Sequence, residues 1–362
     1  MKTQKNTYLN VSGNKTHFRN IALAATISLF SLHAAANDTS LSTLQAHFSD
    51  GDYTFVIDSL EEKSAKSTKE YNLLISALMN EDLDDAEEVA EQFIEAHSND
   101  YRAYHMHASV MGAQASSSIF SALGYAEKAK TSLEKAVTIA PDKVEVYQAL
   151  MQFHIAAPSI AGGDTEEAKK LIDKIAGIDA TEGLFSRAYF LMSEGEKEKA
   201  VDIYKTLAES DNEKARALSD LGNHYLQDED YKNAFETLMP FMTMNIAEVT
   251  DKTSSEWDAY ERDVFNVLYG QYRLGLAAVK SGEQAQIGIR ALTQYLEAVK
   301  VTNIDTADLP STNWANLRLA ELLMNNSQLA EANDALMSIN SSNSERFNKI
   351  LKGVRKSLKK RA

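Results

Sequence analysis

Across 362 residues, 52 acidic side chains outnumber 37 basic ones. The resulting formal charge of −15 argues against nucleic acid as the main partner, because neutralising phosphates needs a basic face. The absence of cysteine excludes disulfides, thiolate metal sites and a cysteine nucleophile, and four prolines with 44% apolar content favour a folded chain over a disordered one.

Residues 1–36 read as a secretory signal peptide. Lys2, Lys5, Lys15 and Arg19 make a basic start, Ile21 to Leu32 is a mostly apolar run, and Ala34, Ala35 and Ala36 offer a small-residue cleavage site. As a helix that run would rise about 18 Å, short of a bilayer core of about 30 Å, so cleavage is favoured over a membrane anchor. The expectation is a mature chain from Asn37, periplasmic or secreted. Losing four positive charges takes −15 to −19; residues 342–362 hold eight Lys or Arg against one Glu, which leaves 37–341 at −26.

From Asp38 onward apolar residues keep helical spacing, with no sustained period-two alternation. Leu41, Leu44 and Phe48 begin one face, Ser49-Asp50-Gly51-Asp52 interrupts it, and Phe55, Val56 and Leu60 continue on a second helix. Glu70–Met79 and Ala86–Ala96 form the next pair. Small residues opening the second helices fall at Ala86, Ala129, Ala168, Ala200, Ala234, Gly288 and Ala332. Over 181–246 the period is a constant thirty-four: Leu184 with Leu218, Ala188 with Gly222, Leu191 with Tyr225, Ala200 with Ala234, Tyr204 with Leu238, Leu207 with Phe241. A fixed period of this size marks a repeat array, in which each unit packs on its neighbours.

Elsewhere the period lengthens, and the excess is expected in turns. Gly112–Tyr125 and Ile155–Asp164 lengthen consecutive turns and should emerge side by side on one edge. Ala247–Tyr260 is the largest excess and the best candidate for a break, giving arrays over 37–246 and 265–341 with an insertion at 247–264. Val301–Thr312, with Pro310, is the last. Pro240 lacks a backbone donor and should kink its helix. In the tail, Phe347, Ile350, Leu351, Val354 and Leu358 line one face opposite Lys349, Lys352, Arg355, Lys356, Lys359 and Lys360. That pattern reads as a basic amphipathic helix over 342–362 capping the array; the alternative is weak contact with anionic membrane headgroups.

At Leu218, Leu221, Gly222, Tyr225, Ala234, Leu238 and Phe241, and again at Leu319, Ala320, Leu323, Ala332, Leu336 and Ile339, the chain resembles the tetratricopeptide repeat family. Ala129, Leu133, Ala136 and Pro141 repeat the match. The resemblance implies an all-α, right-handed superhelical solenoid of six to eight antiparallel helix pairs. Departures are Arg187, where a large apolar residue is usual, Gln271, where leucine or an aromatic is expected, and Pro240. The resemblance further places Arg102, His105, Ser109, Glu145, Gln148, Gln152, Glu182, Phe185, Tyr189, Arg216, Ser219 and Asn223 on first helices facing a concave groove, with Phe185 and Tyr189 open to an alternative as core. The Lys and Asn pattern with which some family members grip a peptide carboxylate is absent.

Motifs that would carry chemistry are weak. His105-Met106-His107 cannot chelate one ion, since residues two apart on a helix point about 200° from one another. Gly162-Gly163-Asp164 follows no strand and precedes no Lys-Ser or Lys-Thr, so it reads as a turn with Asp164 capping a helix and Glu167 completing a capping box. With Ala157-Pro158 and Ala168 that loop also resembles one in the T-component of certain tripartite extracytoplasmic transporters, which implies a periplasmic accessory to solute uptake as an alternative function. No Ser, His and Asp arrangement supports nucleophilic catalysis. The reading is a non-catalytic extracytoplasmic scaffold or adaptor without metal or cofactor, holding a protein or peptide on its concave face; an enzyme would need a pocket the sequence does not show.

Overall fold

The computed structural model describes residues 39–117, 120–306, 308–340 and 345–361. The expected signal peptide at 1–36 lies outside the described residues. Residues Thr39–Ala362 form one compact unit. Among the described residues it contains seventeen α-helices and no strand.

Sixteen of the helices make eight antiparallel pairs. They are α1 (Leu41–Ser49) with α2 (Tyr53–Glu61), α3 (Thr68–Glu81) with α4 (Leu83–Ala96), α5 (Tyr101–Ser117) with α6 (Ala122–Ile139), and α7 (Val144–Ala156) with α8 (Thr165–Ile178). The array continues as α9 (Ala180–Ser193) with α10 (Lys197–Ala208), α11 (Asp211–Gln227) with α12 (Tyr231–Leu238), α13 (Trp257–Ser281) with α14 (Ala285–Val301), and α15 (Thr312–Asn325) with α16 (Leu329–Met337). Helix α17 (Glu345–Arg361) follows. Each second helix packs on its own first helix and on the next, and neighbouring first helices touch, as expected of a solenoid.

Side-chain caps set many helix starts. Ser67 accepts from the Glu70 amide while Glu70 reaches back to the Ser67 amide at 2.8 Å, a full capping box. Asp164 accepts from the Glu166 and Glu167 amides at 2.9 and 3.1 Å. Here the expected box is incomplete, because Glu167 turns outward to Lys170 at 2.9 Å.

Small residues then let the helices approach. A Cβ on Gly222 would lie 2.3 Å from Leu238, and one on Gly270 would lie 2.2 Å from the Phe241 ring. Alanines 200, 234 and 332 are fully buried. Each glycine is thus a bare patch on a first helix that receives a bulky residue from α12 or from the turn that follows it.

Three irregular stretches behave differently from one another. Of the excess at 112–125, most is helix: α5 runs to Ser117 and α6 begins at Ala122, so the two helices span 17 and 18 residues. Alanine, glycine and serine suit a close helix pair as well as a turn, and the buried Gln114 anchors the extension by donating to Asp84 at 2.8 Å. The excess at 155–164 is a loop with a 3-10 turn at Ser159–Ala161, and both stretches line one cavity. A Cβ on Gly163 would meet the Ala157 carbonyl at 1.8 Å and Gly162 has φ +90°, so the two glycines are what this turn requires.

Helix α12 gives way at Leu238 to a 3-10 turn over Met239–Met242 that contains Pro240. Buried Gln271 donates to the Phe241 carbonyl at 3.2 Å beside that turn, which explains a polar side chain at an apolar position. Segment 247–256 follows without helix and is tied down when Asn303 donates to the Val249 carbonyl at 2.9 Å. Tyr260 in turn donates to Asn303 at 2.9 Å. Helix α17 buries Phe347, Leu351, Val354 and Leu358 against α15 and α16, with its basic residues outward.

The last excess has a role that periodicity does not reveal. Residues 302–313 reach the first helix pair, so the two ends of the array meet in a seam. Gln45 donates to Asp305 at 2.8 Å, Ser49 and Thr306 hydroxyls lie 2.5 Å apart, and Thr312 donates to Asp50 at 2.9 Å. The Asn340 amide group donates to the Asp50 carbonyl at 3.3 Å.

Candidate functional site

The first helices α7, α9 and α11 line a polar groove with a volume of about 350 Å3. Its floor is built on Arg216. The guanidinium lies 3.8 Å from the Phe185 ring centroid, donates to both oxygens of Glu182, one of them at 2.9 Å, and faces Asp220 at 4.0 Å. Gln148 donates to Glu182 at 2.7 Å, completing its shell.

The two carboxyls beside Arg216 respond in opposite directions. Burial pushes Glu182 up, but hydrogen bonds and charge from Arg216 and the Gln148 amide outweigh it, and the net shift is down. Partial desolvation in the groove pushes the Asp220 carboxyl up against the opposing pull of Arg216 and Arg273. Solvent still touches it, at 38% side-chain exposure, because it sits in the wall of an open groove. Arg273, on α13, stacks over Tyr269 at 3.8 Å and donates to the Ser219 hydroxyl at 2.7 Å; desolvation pulls its basicity down.

Beside this floor is a larger cleft of about 570 Å3 between α5, α6 and α7 and the turn after α7. Its lining is mostly alanine with Leu123, Leu133, Phe153 and Pro158. Gln152 and Tyr189 line both spaces, so an apolar cleft leads into a charged one. The side-chain amides of Gln152 and Asn223 make no hydrogen bond among the described residues, and Gln152 is exposed while Asn223 is half-buried. Each therefore has a free donor and acceptor, the pair a peptide backbone matches.

The residues expected on the groove fall in several places. Gln148, Gln152, Phe185, Tyr189, Arg216 and Asn223 line the polar groove, with Glu182 bonded into its floor, and His105 and Ser109 line the apolar cleft. Arg102 and Glu145 stand apart at helix starts, Arg102 paired with Asp100 at 2.7 Å and Glu145 accepting from Tyr101 at 2.7 Å. Phe185 and Ser219 are buried at 3% and 0% exposure: one supports Arg216 and the other holds Arg273. Neither is a surface contact.

Asp220, His224 and Arg273 were missed. Asp220 and His224 continue the face of Arg216 at spacings of four, a signal present in the sequence, whereas Arg273 is displaced by the 247–256 insertion. Among the histidines, buried His107 pairs with the Ser132 hydroxyl at 2.9 Å. Among the described residues no three His, Cys, Asp or Glu side chains are grouped to hold a metal ion, and no helix is long and apolar enough to cross a membrane.

Residues 114–143, the turn and second helix beside the apolar cleft, match the sequence profile of the tetratricopeptide repeat. The chain contains a tetratricopeptide repeat. No curated protein matches it. Solved structures similar to this chain include the TPR domain of P58(IPK), at 14% identity over 90% of each chain with a TM-score of 0.27. The human IFIT1 dimer is similar at 12% identity over 85% of this chain and 70% of that one, with a TM-score of 0.38. The quorum sensor NprR from B. thuringiensis is similar at 13% identity over 87% and 97%, with a TM-score of 0.31.

Proposed function

We propose that this protein is a non-catalytic, extracytoplasmic scaffold that holds an extended peptide segment of a protein partner along α5, α7, α9 and α11. The carrying observation is the continuity of the apolar cleft with the polar groove through Gln152 and Tyr189. An apolar side chain of the segment enters the cleft between α5, α6 and α7. Its backbone then crosses the free amides of Gln152 and Asn223, and a polar side chain meets the Arg216 and Asp220 floor. Free amides and a half-buried tyrosine supply contacts at low ordering cost, which suits a binding surface. The basic start and apolar run of residues 1–36 support export.

Panning a random peptide library on the purified chain, followed by calorimetry on the selected peptides, tests this. Replacing Gln152, Tyr189 and Asn223 together by alanine, none of them fully buried, should weaken the selected peptides by at least about tenfold. Unchanged affinity in the folded triple variant would place binding elsewhere and sink the groove reading.

A further inference from the structure

The seam borders a further cavity, of about 600 Å3, that no part of the peptide groove uses. One wall comes from the start of the chain, with Gly51, Tyr53 and Met79; the other comes from α13, α15, α17 and the loop before α15. Its volume is in the range of small-molecule sites, about 300–1,000 Å3. Its lining is unusual for a chain with 52 acidic residues. Lys280, Arg318 and Arg346 reach it, and no Asp or Glu lines it.

Two of the three cations are uncommitted: Lys280 and Arg346 are exposed and make no ion pair among the described residues. Arg318 is fixed by Glu321 at 2.7 Å and lies over the Trp314 ring at 5.3 Å, yet its Nε is buried without a hydrogen-bond partner. An orphaned guanidinium donor beside free cations is the recognition element for a planar anion such as a carboxylate. The rings of Tyr53, Tyr269, Tyr272, Trp314 and Phe347 supply flat apolar walls. Cations held in a concave site with low-dielectric walls concentrate their field there, whatever the net charge of the surface outside.

We propose that this cavity binds a small organic anion, a carboxylate carried on a flat apolar body, and that the bound ligand ties the first helix pair to the last. The carboxylate meets Arg318 with Lys280 and Arg346, and the flat body lies among the tyrosines and Trp314. Because the walls come from both ends of the chain, occupancy adds a bridge to a seam otherwise made of a few polar contacts.

The test uses the full chain and two probes, indole-3-acetate and its neutral amide, in calorimetry. The acid should bind saturably and at least about tenfold more tightly than the amide. The double variant Lys280→Gln, Arg346→Gln, altering only exposed side chains, should lose at least about tenfold in affinity for the acid. Equal binding of acid and amide, undiminished binding by the double variant, or no saturation up to about 10 mM, where even millimolar ligands register, would each overturn the site. Hydrogen exchange in α1 and α2 should slow with bound acid; unaltered exchange there overturns the bridging role.

Discussion

The regular module of α9–α12 and the seam between the ends of the array both join helices, but with different physics. From the module into α13, bulky side chains sit on bare helix patches: Leu238 on Gly222, then Phe241 on Gly270. These contacts are local, apolar and repeated, so their energy grows with buried area. At the seam, Gln45, Ser49 and Asp50 meet Asp305, Thr306 and Thr312 through hydrogen bonds across more than 250 residues of sequence. Each such bond exchanges water partners for protein partners and nets only about 1 kcal/mol. The array is therefore held rigidly along its length and lightly at its closure, the end where structure opens first.

The largest expected effect probes the module. Phe241→Ala empties a fully buried ring from its seat on Gly270 and should cost about 3–5 kcal/mol in denaturant unfolding. A loss no greater than that of an exposed substitution would break the contrast, since the module would then not depend on its fitted contacts. Next comes the seam itself. Ser49→Ala with Thr312→Val removes two of its bonds and should cost about 1–2 kcal/mol, appearing as faster hydrogen exchange in α1 and α2 while α9–α12 stay protected. Uniformly faster exchange would make the seam part of the global core and erase the distinction.

The smallest effect is electrostatic and lies on the groove floor. Asp220 has a folded-state carboxyl raised above its ordinary value, so its contribution favours folding at low pH and is lost as pH rises through that raised value. Asp220→Asn should therefore raise the melting temperature slightly at pH 7, with the gain vanishing toward pH 4. Glu182 is depressed instead, so its stabilisation is present above its ordinary value and lost as pH falls through the depressed one. Glu182→Gln should lower the melting temperature at pH 7. Thermal scans of both variants across pH 3–8 check the pair, and shifts of the same sign would refute the assignment.

Most of the helix pairing was legible because small residues such as Ala200 and Ala234 are needed wherever two helices touch, and that need recurs at the repeat length. The extension of α5 and α6 was not, because an alanine- and serine-rich stretch satisfies a turn and a tight helix pair equally. On the floor of the groove, Arg216 and Glu182 were readable one by one, but their pairing across thirty-four residues depends on neighbouring first helices lying side by side. Phe185 was readable as either surface or core, and the structure assigns it to the core beneath Arg216. The seam left no periodic trace. Serine, threonine, aspartate and asparagine in short loops read as ordinary turns until the superhelix brings residues 50 and 312 together.

The meeting of the two ends also sets an order for folding. Contacts between adjacent helices close short stretches of chain and can zip outward from any point, whereas the bond between Asp50 and Thr312 spans 262 residues and becomes available only once the intervening repeats are in place. The two tryptophans are placed to time these events separately. Trp257 is buried in the core of the array, and Trp314 lines the cavity at the seam against Phe347. After dilution from denaturant, Trp257 should report the zipping of repeats, and Trp314 a later, slower step in which the finished array closes on itself.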